Sequence, residues 1–185
     1  MTMIAISYLQ MVIVISILWL IVRAVFWFRS GRIDWGREAL LLPVYICLVV
    51  VVRFTFCPFS RVNGQIQPLL FDGGKVFPFW LNVIPFVYLF DYPSMKDALL
   101  NLIGNIALFI PLGVVWPAVF QKLDNHWKVI GAGFGTSLCI EILQLPFYGR
   151  ASDIDDLILN TAGYLLGYGI WLLVKKIKGR RKGNP

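Results

Sequence analysis

Charge is scarce in this chain. Only 15% of its 185 residues are Asp, Glu, Lys or Arg, whereas 58% are hydrophobic, and soluble domains hold about a quarter charged residues. That shortage excludes an ordinary water-soluble globule and indicates an integral membrane protein. Cysteine is sparse: Cys47, Cys57 and Cys139 are odd in number and lack the close spacings of a zinc or thioredoxin-like site, so they read as packing residues. No Ser/Gly/Pro-rich linker and no internal repeat interrupts the chain, which suits a single membrane unit. Met1 to Leu20 contains no Lys or Arg and no small-x-small cleavage site follows, so the first segment is expected to be a retained helix and not a cleaved signal.

What is present is apolar sequence in long runs. A spanning helix needs roughly 20 apolar residues to cross about 30 Å of hydrocarbon. Five stretches approach that length, at 4–28, 39–56, 99–120, 129–146 and 157–174. Lipid offers backbone groups no hydrogen-bond partner, and these runs show no strand alternation, so helices are expected throughout. The predicted fold is all-α: a polytopic membrane helical bundle of about five transmembrane helices. The expected organisation is an N-terminal helix and basic loop (1–38), a membrane domain (39–174) and a basic tail (175–185).

Basic residues set the expected orientation. With five crossings, 11 Lys and Arg residues lie in the 29–38 loop, the 121–128 loop and the tail, against four (Arg61, Lys75, Lys96, Arg150) on the other side. Basic loops stay cytoplasmic, so the N-terminus is predicted outside and the C-terminus inside. The formal net charge of +7 then reflects attraction to anionic membrane lipid; nucleic acid is not expected as a partner, because the basic residues flank spans and form no recognition motif. The stretch VFPFWLNVIPFVYLF (76–90) is short and holds two prolines and Asn82. Making it a sixth crossing would invert the basic asymmetry, so it is read as an outward interfacial or re-entrant segment anchored by Phe77, Trp80 and Tyr88.

Polar residues gather toward the predicted outer face. Asn101 and Asn105 are four apart, Glu141 and Gln144 three apart, and Asp153, Asp156, Asn160 and Gly163 follow at i, i+3, i+7 and i+10, so each set occupies one helical face. A carboxylate inside a bilayer faces the bundle interior, finds a partner and marks function. Arg150 is the expected partner, its guanidinium fork taking Glu141 or an Asp of the 153–156 cluster. The bland reading is that the amides glue helices, that Ser152 or Asp153 caps the last helix, and that Gly163-x-x-x-Gly167 permits close packing. Gly131-x-Gly133-x-Gly135 follows no strand and reads as helix packing, as do Gly104 and Gly113; Pro111 is expected to kink its helix, and Arg23 and Arg53 to snorkel or pair.

The ordered series Asn101-x-x-x-Asn105-x-x-Leu108-Phe109-x-Pro111-x-Gly113, Glu141-x-x-Gln144 and Arg150-x-x-Asp153-x-x-Asp156-x-x-x-Asn160-x-x-Gly163, preceded by NVIPF at 82–86, resembles the VanZ-like membrane protein family over roughly residues 40–174. The resemblance implies a bacterial multi-pass membrane protein whose polar site acts on the cell envelope, in a family whose namesake is associated with resistance to the lipoglycopeptide teicoplanin.

Three functions are open at this stage. In the first, a pocket of Asn101, Asn105, Gln144, Arg150 and Asn160 binds an envelope ligand, lipid-linked for a site at this depth, with Glu141, Asp153 and Asp156 as its acidic groups. In the second, the same three carboxylates are catalytic, Glu141 as general base and Asp153 or Asp156 positioning a substrate hydroxyl or a hard divalent cation; Ser137, one turn before Glu141, is a nucleophile candidate. The lone His126 is placed in a cytoplasmic loop, away from that site, which argues against zinc hydrolysis and nucleophilic triads. No resident metal or cofactor is expected. In the third, the chain is a small transporter or accessory subunit, against which stands the lack of a visible polar path across the bundle.

Overall fold

A computed structural model describes residues 4–57, 61–62, 65–72, 74, 81–87, 94–123, 125–148, 150 and 152–182. Five helices account for most of them: α1 (Tyr8–Ser30), α2 (Trp35–Phe56), α3 (Met95–Val119), α4 (His126–Gln144) and α5 (Ile154–Lys182). Between them lie short strands: β1 (Ile4–Ile6), β2 (Arg61–Val62), β3 (Gln65–Ile66), β4 (Leu69–Phe71), β5 (Leu81–Asn82) and β6 (Ser152–Asp153). The fold is an all-α membrane bundle in which α1, α2, α3 and α5 are long and apolar enough to cross a bilayer. The fourth predicted span is a helix but is not among those four. Its sequence holds Lys128, Glu141, Gln144 and three glycines.

Helix starts follow from local chemistry. Ser7, Asp34, Ser94 and Asn125 each cap a helix by accepting a backbone N–H three residues on, from Gln10, Arg37, Asp97 and Lys128 respectively. At Ser7 the bond is reciprocal, since Gln10 Oε1 accepts from the Ser7 N–H at 2.7 Å. This capping box starts α1 four residues later than the first apolar run suggests. Ile4–Ile6 instead forms an antiparallel pair with Leu69–Phe71. The helix ends at Gly31, whose φ of 66° is the left-handed conformation that glycine adopts without a Cβ clash. Pro43, Pro111 and Pro117 lie inside continuous helices.

The chain forms two compact units, residues 1–79 with 146–150, and residues 80–145 with 151–185. In the first, α1 and α2 form an antiparallel hairpin joined by polar clasps inside apolar sequence. Arg23 donates to Glu38 from Nε (2.9 Å) and Nη2, and Trp27 Nε1 donates to the same carboxylate at 2.9 Å. Further along, Ser16 and Tyr45 share a hydroxyl bond of 2.7 Å. Arg53 donates to the Cys57 carbonyl and lies over the Tyr8 ring. Thus Arg23 and Arg53 each find partners within the hairpin. The remaining surface of α1 is apolar and outward, with Leu9, Ile17, Leu18 and Leu20 each more than half exposed, as a lipid-facing helix requires. The 146–150 segment adds to this unit through Phe147, edge-on to Phe56 and Phe71, and through the Tyr148 N–H bond to the Leu70 carbonyl.

The second unit is a three-helix packing of α3, α4 and α5 around Phe109, Leu112, Val129 and Tyr164, all fully buried. Small residues bring the backbones together. A Cβ added at Gly163 would collide with the Ile106 carbonyl, at Gly167 with the Ile110 carbonyl, and at Gly113 with the Tyr164 carbonyl. The Gly163-x-x-x-Gly167 face therefore lies directly on the α3 backbone, the arrangement by which apolar helices associate in lipid. Of the glycine triplet in α4, Gly133 packs on the Tyr164 ring, whereas Gly131 and Gly135 face open space, as does Gly104. Of the segment read as interfacial, residues 81–87 belong to this unit, with β5 parallel to β6. Phe77, Trp80 and Tyr88 lie outside the described residues.

Candidate functional site

The antiparallel run of α4 against α5 matches their residues in layers one helical turn apart. In the first layer, Glu141 of α4 is 3% exposed and its Oε2 accepts the Asp153 backbone N–H at 2.9 Å. The Asp153 side chain closes the start of α5 by accepting the Asp155 N–H (2.9 Å) and takes a second bond from Asn82 Nδ2 (3.0 Å). Asp156 accepts from Asn105 Nδ2 of α3. Both Asp153 and Asp156 are close enough to Glu141 to act on it electrostatically. Four acidic or amide side chains from α3, α4 and the β6–α5 junction therefore form one half-buried to buried cluster.

Local sequence explains why these groups sit there. Asp153, Asp155 and Asp156 crowd the first turn of α5, where unpaired N–H groups and the helix dipole favour negative charge. The β5–β6 pairing then brings Asn82 onto Asp153. Four residues further along α5 is the second layer: Asn160, 1% exposed, donates from Nδ2 to Ser137 Oγ at 3.1 Å. Ser137 is itself four residues from Glu141, so both layers share the α4–α5 seam.

The VanZ/LLP1 family matches residues 44–175, from within α2 to the basic end of α5. The chain belongs to this family. A curated relative, Protein VanZ of Enterococcus faecium, is 31% identical over 102 residues, which is 55% of this chain and 58% of the relative. The chain thus spans somewhat over half the length of the curated relative it matches. No solved structure matches it.

Within this VanZ/LLP1 chain, the sequence-predicted residues fall as follows. Asn105, Glu141, Asp153 and Asp156 make up the first layer and Asn160 the second. Gln144 is buried near the end of α4, 5% exposed. Asn101 lies one turn before Asn105 in α3, and its side chain makes no hydrogen bond among the described residues. Arg150 belongs to the other unit, where its Nη2 donates to the Phe56 carbonyl at 3.0 Å.

Two members of the site escape the spacing argument. Asp155 is more buried than either neighbouring Asp (7% exposed) and accepts the Phe86 N–H at 2.8 Å. Its position is off the Asp153–Asp156–Asn160 face, so helical periodicity passes over it. Phe86 has a positive φ of 61°, unusual for a residue with a Cβ, and this turn aims its N–H at Asp155. Asn82 stands out in sequence as a polar break in an apolar stretch and as the first residue of NVIPF, but its bond to Asp153 depends on a long-range strand pair. His126 lies elsewhere than the loop expected from sequence. It is the first residue of α4, not a loop residue, and its Nδ1 shares a 3.0 Å bond with Tyr168 OH.

Proposed function

We propose that the cluster of Asn105, Glu141, Asp153, Asp156 and Asn160 is the binding site of a bacterial membrane protein that acts on a cell-envelope ligand, and that its activity lowers susceptibility to teicoplanin-type lipoglycopeptides. The observation that supports this most is Glu141: a carboxylate buried in a membrane unit and tied to a second element through a backbone N–H, beside two further acids. Burying such charge is costly, and intramembrane ionisable groups persist where they act. The polar cluster lies at the α4–α5 end nearest the α5 N-terminus. In the orientation expected from the basic residues, N-terminus out and C-terminus in, with α4 crossing between α3 and α5, that end faces outward. A site there meets the lipid headgroup region, so a lipid-linked ligand fits it best. Asn101 and Gln144 are proposed as further ligand contacts.

The polarity of α4 is compatible with a crossing because its Ser137, Glu141 and Gln144 are buried against protein. Cells expressing the wild type should bind less fluorescent teicoplanin than vector controls, with vancomycin labelling unchanged. Glu141→Gln at equal membrane abundance should restore labelling. Equal labelling of wild type and variant removes the assignment.

A second reading, an enzyme acting on an envelope lipid, is favoured by the proximity of Asp153 and Asp156 to Glu141. Glu141 would accept a proton from a substrate hydroxyl that an Asp positions. Mass spectrometry of lipid extracts separates the two, because an enzyme changes a lipid species and a binding site leaves the lipid pool as it was.

A further inference from the structure

Asp156, Asn160, Tyr164 and Tyr168 recur every fourth residue and so share one face of α5. That face is inside the second unit: Asn160 is 1%, Tyr164 0% and Tyr168 9% exposed. Its polar atoms follow one another down the helix. Asp156 bonds Asn105, Asn160 bonds Ser137, and Tyr168 bonds His126. Between them, three buried atoms have no hydrogen-bond partner among the described residues: Asn160 Oδ1, Tyr164 OH and Trp116 Nε1. The Trp116 ring meets Tyr164 edge-on at 6.2 Å between centroids, so two of these atoms belong to touching side chains.

Packing alone does not call for such atoms. A phenylalanine would fill the space of Tyr164 between Gly133 and Trp116 without burying a hydroxyl, and buried polar groups without partners are rare in native proteins. Water is the partner small enough to serve all three, donating to Asn160 Oδ1 and accepting from Trp116 Nε1, with Tyr164 OH able to do either.

We propose that this face of α5 holds internal water and conducts protons between His126 and the carboxylate cluster. Its ends suit the task. His126 is exposed and carries two ring nitrogens that can pass a proton from one to the other side of the imidazole, while Glu141, Asp153, Asp155 and Asp156 supply acceptors at the far end. From Asp156 to Tyr168 the path covers about 18 Å at roughly 1.5 Å per residue, much of the ~30 Å hydrocarbon. A proton taken up at His126 Nε2 releases the one on Nδ1 to Tyr168, whose own proton passes to water. Water and Tyr164 repeat the exchange until a carboxylate receives a proton. Each hydroxyl gives one proton as it gains one, and the carboxylate then releases its proton to water at its own end of the path, so nothing is consumed and one proton is moved. Gly133 and Gly113 hold Tyr164 too closely for a hydrated metal ion to pass.

The test uses the full chain in phosphatidylcholine–phosphatidylglycerol vesicles with a trapped pH dye and a valinomycin-set potassium potential. Wild type should acidify the lumen faster than protein-free vesicles. Tyr164→Phe should lower that flux at least tenfold with an unchanged melting temperature, and His126→Leu should do the same from the exposed end, which covers the case in which Tyr164→Phe folds poorly. Tyr148→Phe, an exposed tyrosine of the other unit, should have no effect. Wild-type flux equal to protein-free vesicles, or undiminished flux in His126→Leu or in well-folded Tyr164→Phe, overturns the proposal. Teicoplanin labelling of cells is read separately, so this path can fail without the ligand site failing.

Discussion

Glu141 holds its place through a backbone donor, the Asp153 N–H, and that bond does not need the negative charge. Glu141→Gln preserves shape and an acceptor oxygen, so its melting temperature in detergent should stay within a few degrees of wild type while teicoplanin labelling changes. A large loss of stability would mean the charge itself organises the cluster. Asn105 behaves differently, because its amide donates to a charged acceptor, Asp156, inside the bundle. Asn105→Ala leaves that carboxylate short of a donor, a loss of about 1–3 kcal/mol, readable as a lowered melting temperature. Asn105→Asp should be worse, since it sets a second carboxylate against the first.

At the scale of elements, α3 and α5 depend on glycines whose missing Cβ atoms admit backbone. Gly163→Val and Gly113→Val should sharply reduce folded yield, because the new atoms meet carbonyls of Ile106 and Tyr164 and not flexible side-chain ends; overpacking of this kind costs about 1–3 kcal/mol or more. Gly131→Ala, by contrast, meets nothing and should be neutral or stabilising by up to about 1 kcal/mol through helix propensity. Equal behaviour of these variants in size-exclusion yield would argue against the packing described. In the α1–α2 hairpin, Glu38 is the shared acceptor of Arg23 and Trp27. Glu38→Ala should destabilise the hairpin more than Trp27→Phe does, because only the former leaves a guanidinium without its counter-ion, and limited proteolysis of the 31–34 turn would report it.

For the whole molecule, orientation is the property on which the ligand reading depends. In a cysteine-free background, a single Cys at position 150 should react with a membrane-impermeant thiol reagent on intact cells, and one at position 178 only after permeabilisation. The reverse pattern would turn the carboxylate cluster toward the cytoplasm and remove its access to envelope ligands. The division into two units also has a consequence at this scale. The family match begins at residue 44, inside α2, so it covers the second unit's helices as far as residue 175 but only part of the first.

Composition and apolar run length settled the membrane class and five helices near their observed positions, because lipid leaves no other use for such runs. Spacing also grouped Asn105, Glu141, Asp153, Asp156 and Asn160, since helical periodicity is local and readable. Tertiary structure alone decided the rest. Ile4–Ile6 became a strand because its partner lies at 69–71, and Asp155 was tied to the 81–87 segment because the Phe86 turn aims its backbone N–H at it. The Tyr164–Tyr168 extension of the polar face looked apolar in sequence, as an aromatic ring counts as grease until its neighbours show where the hydroxyl is buried. Such contacts join residues far apart in the chain, and no local pattern encodes which distant groups they meet.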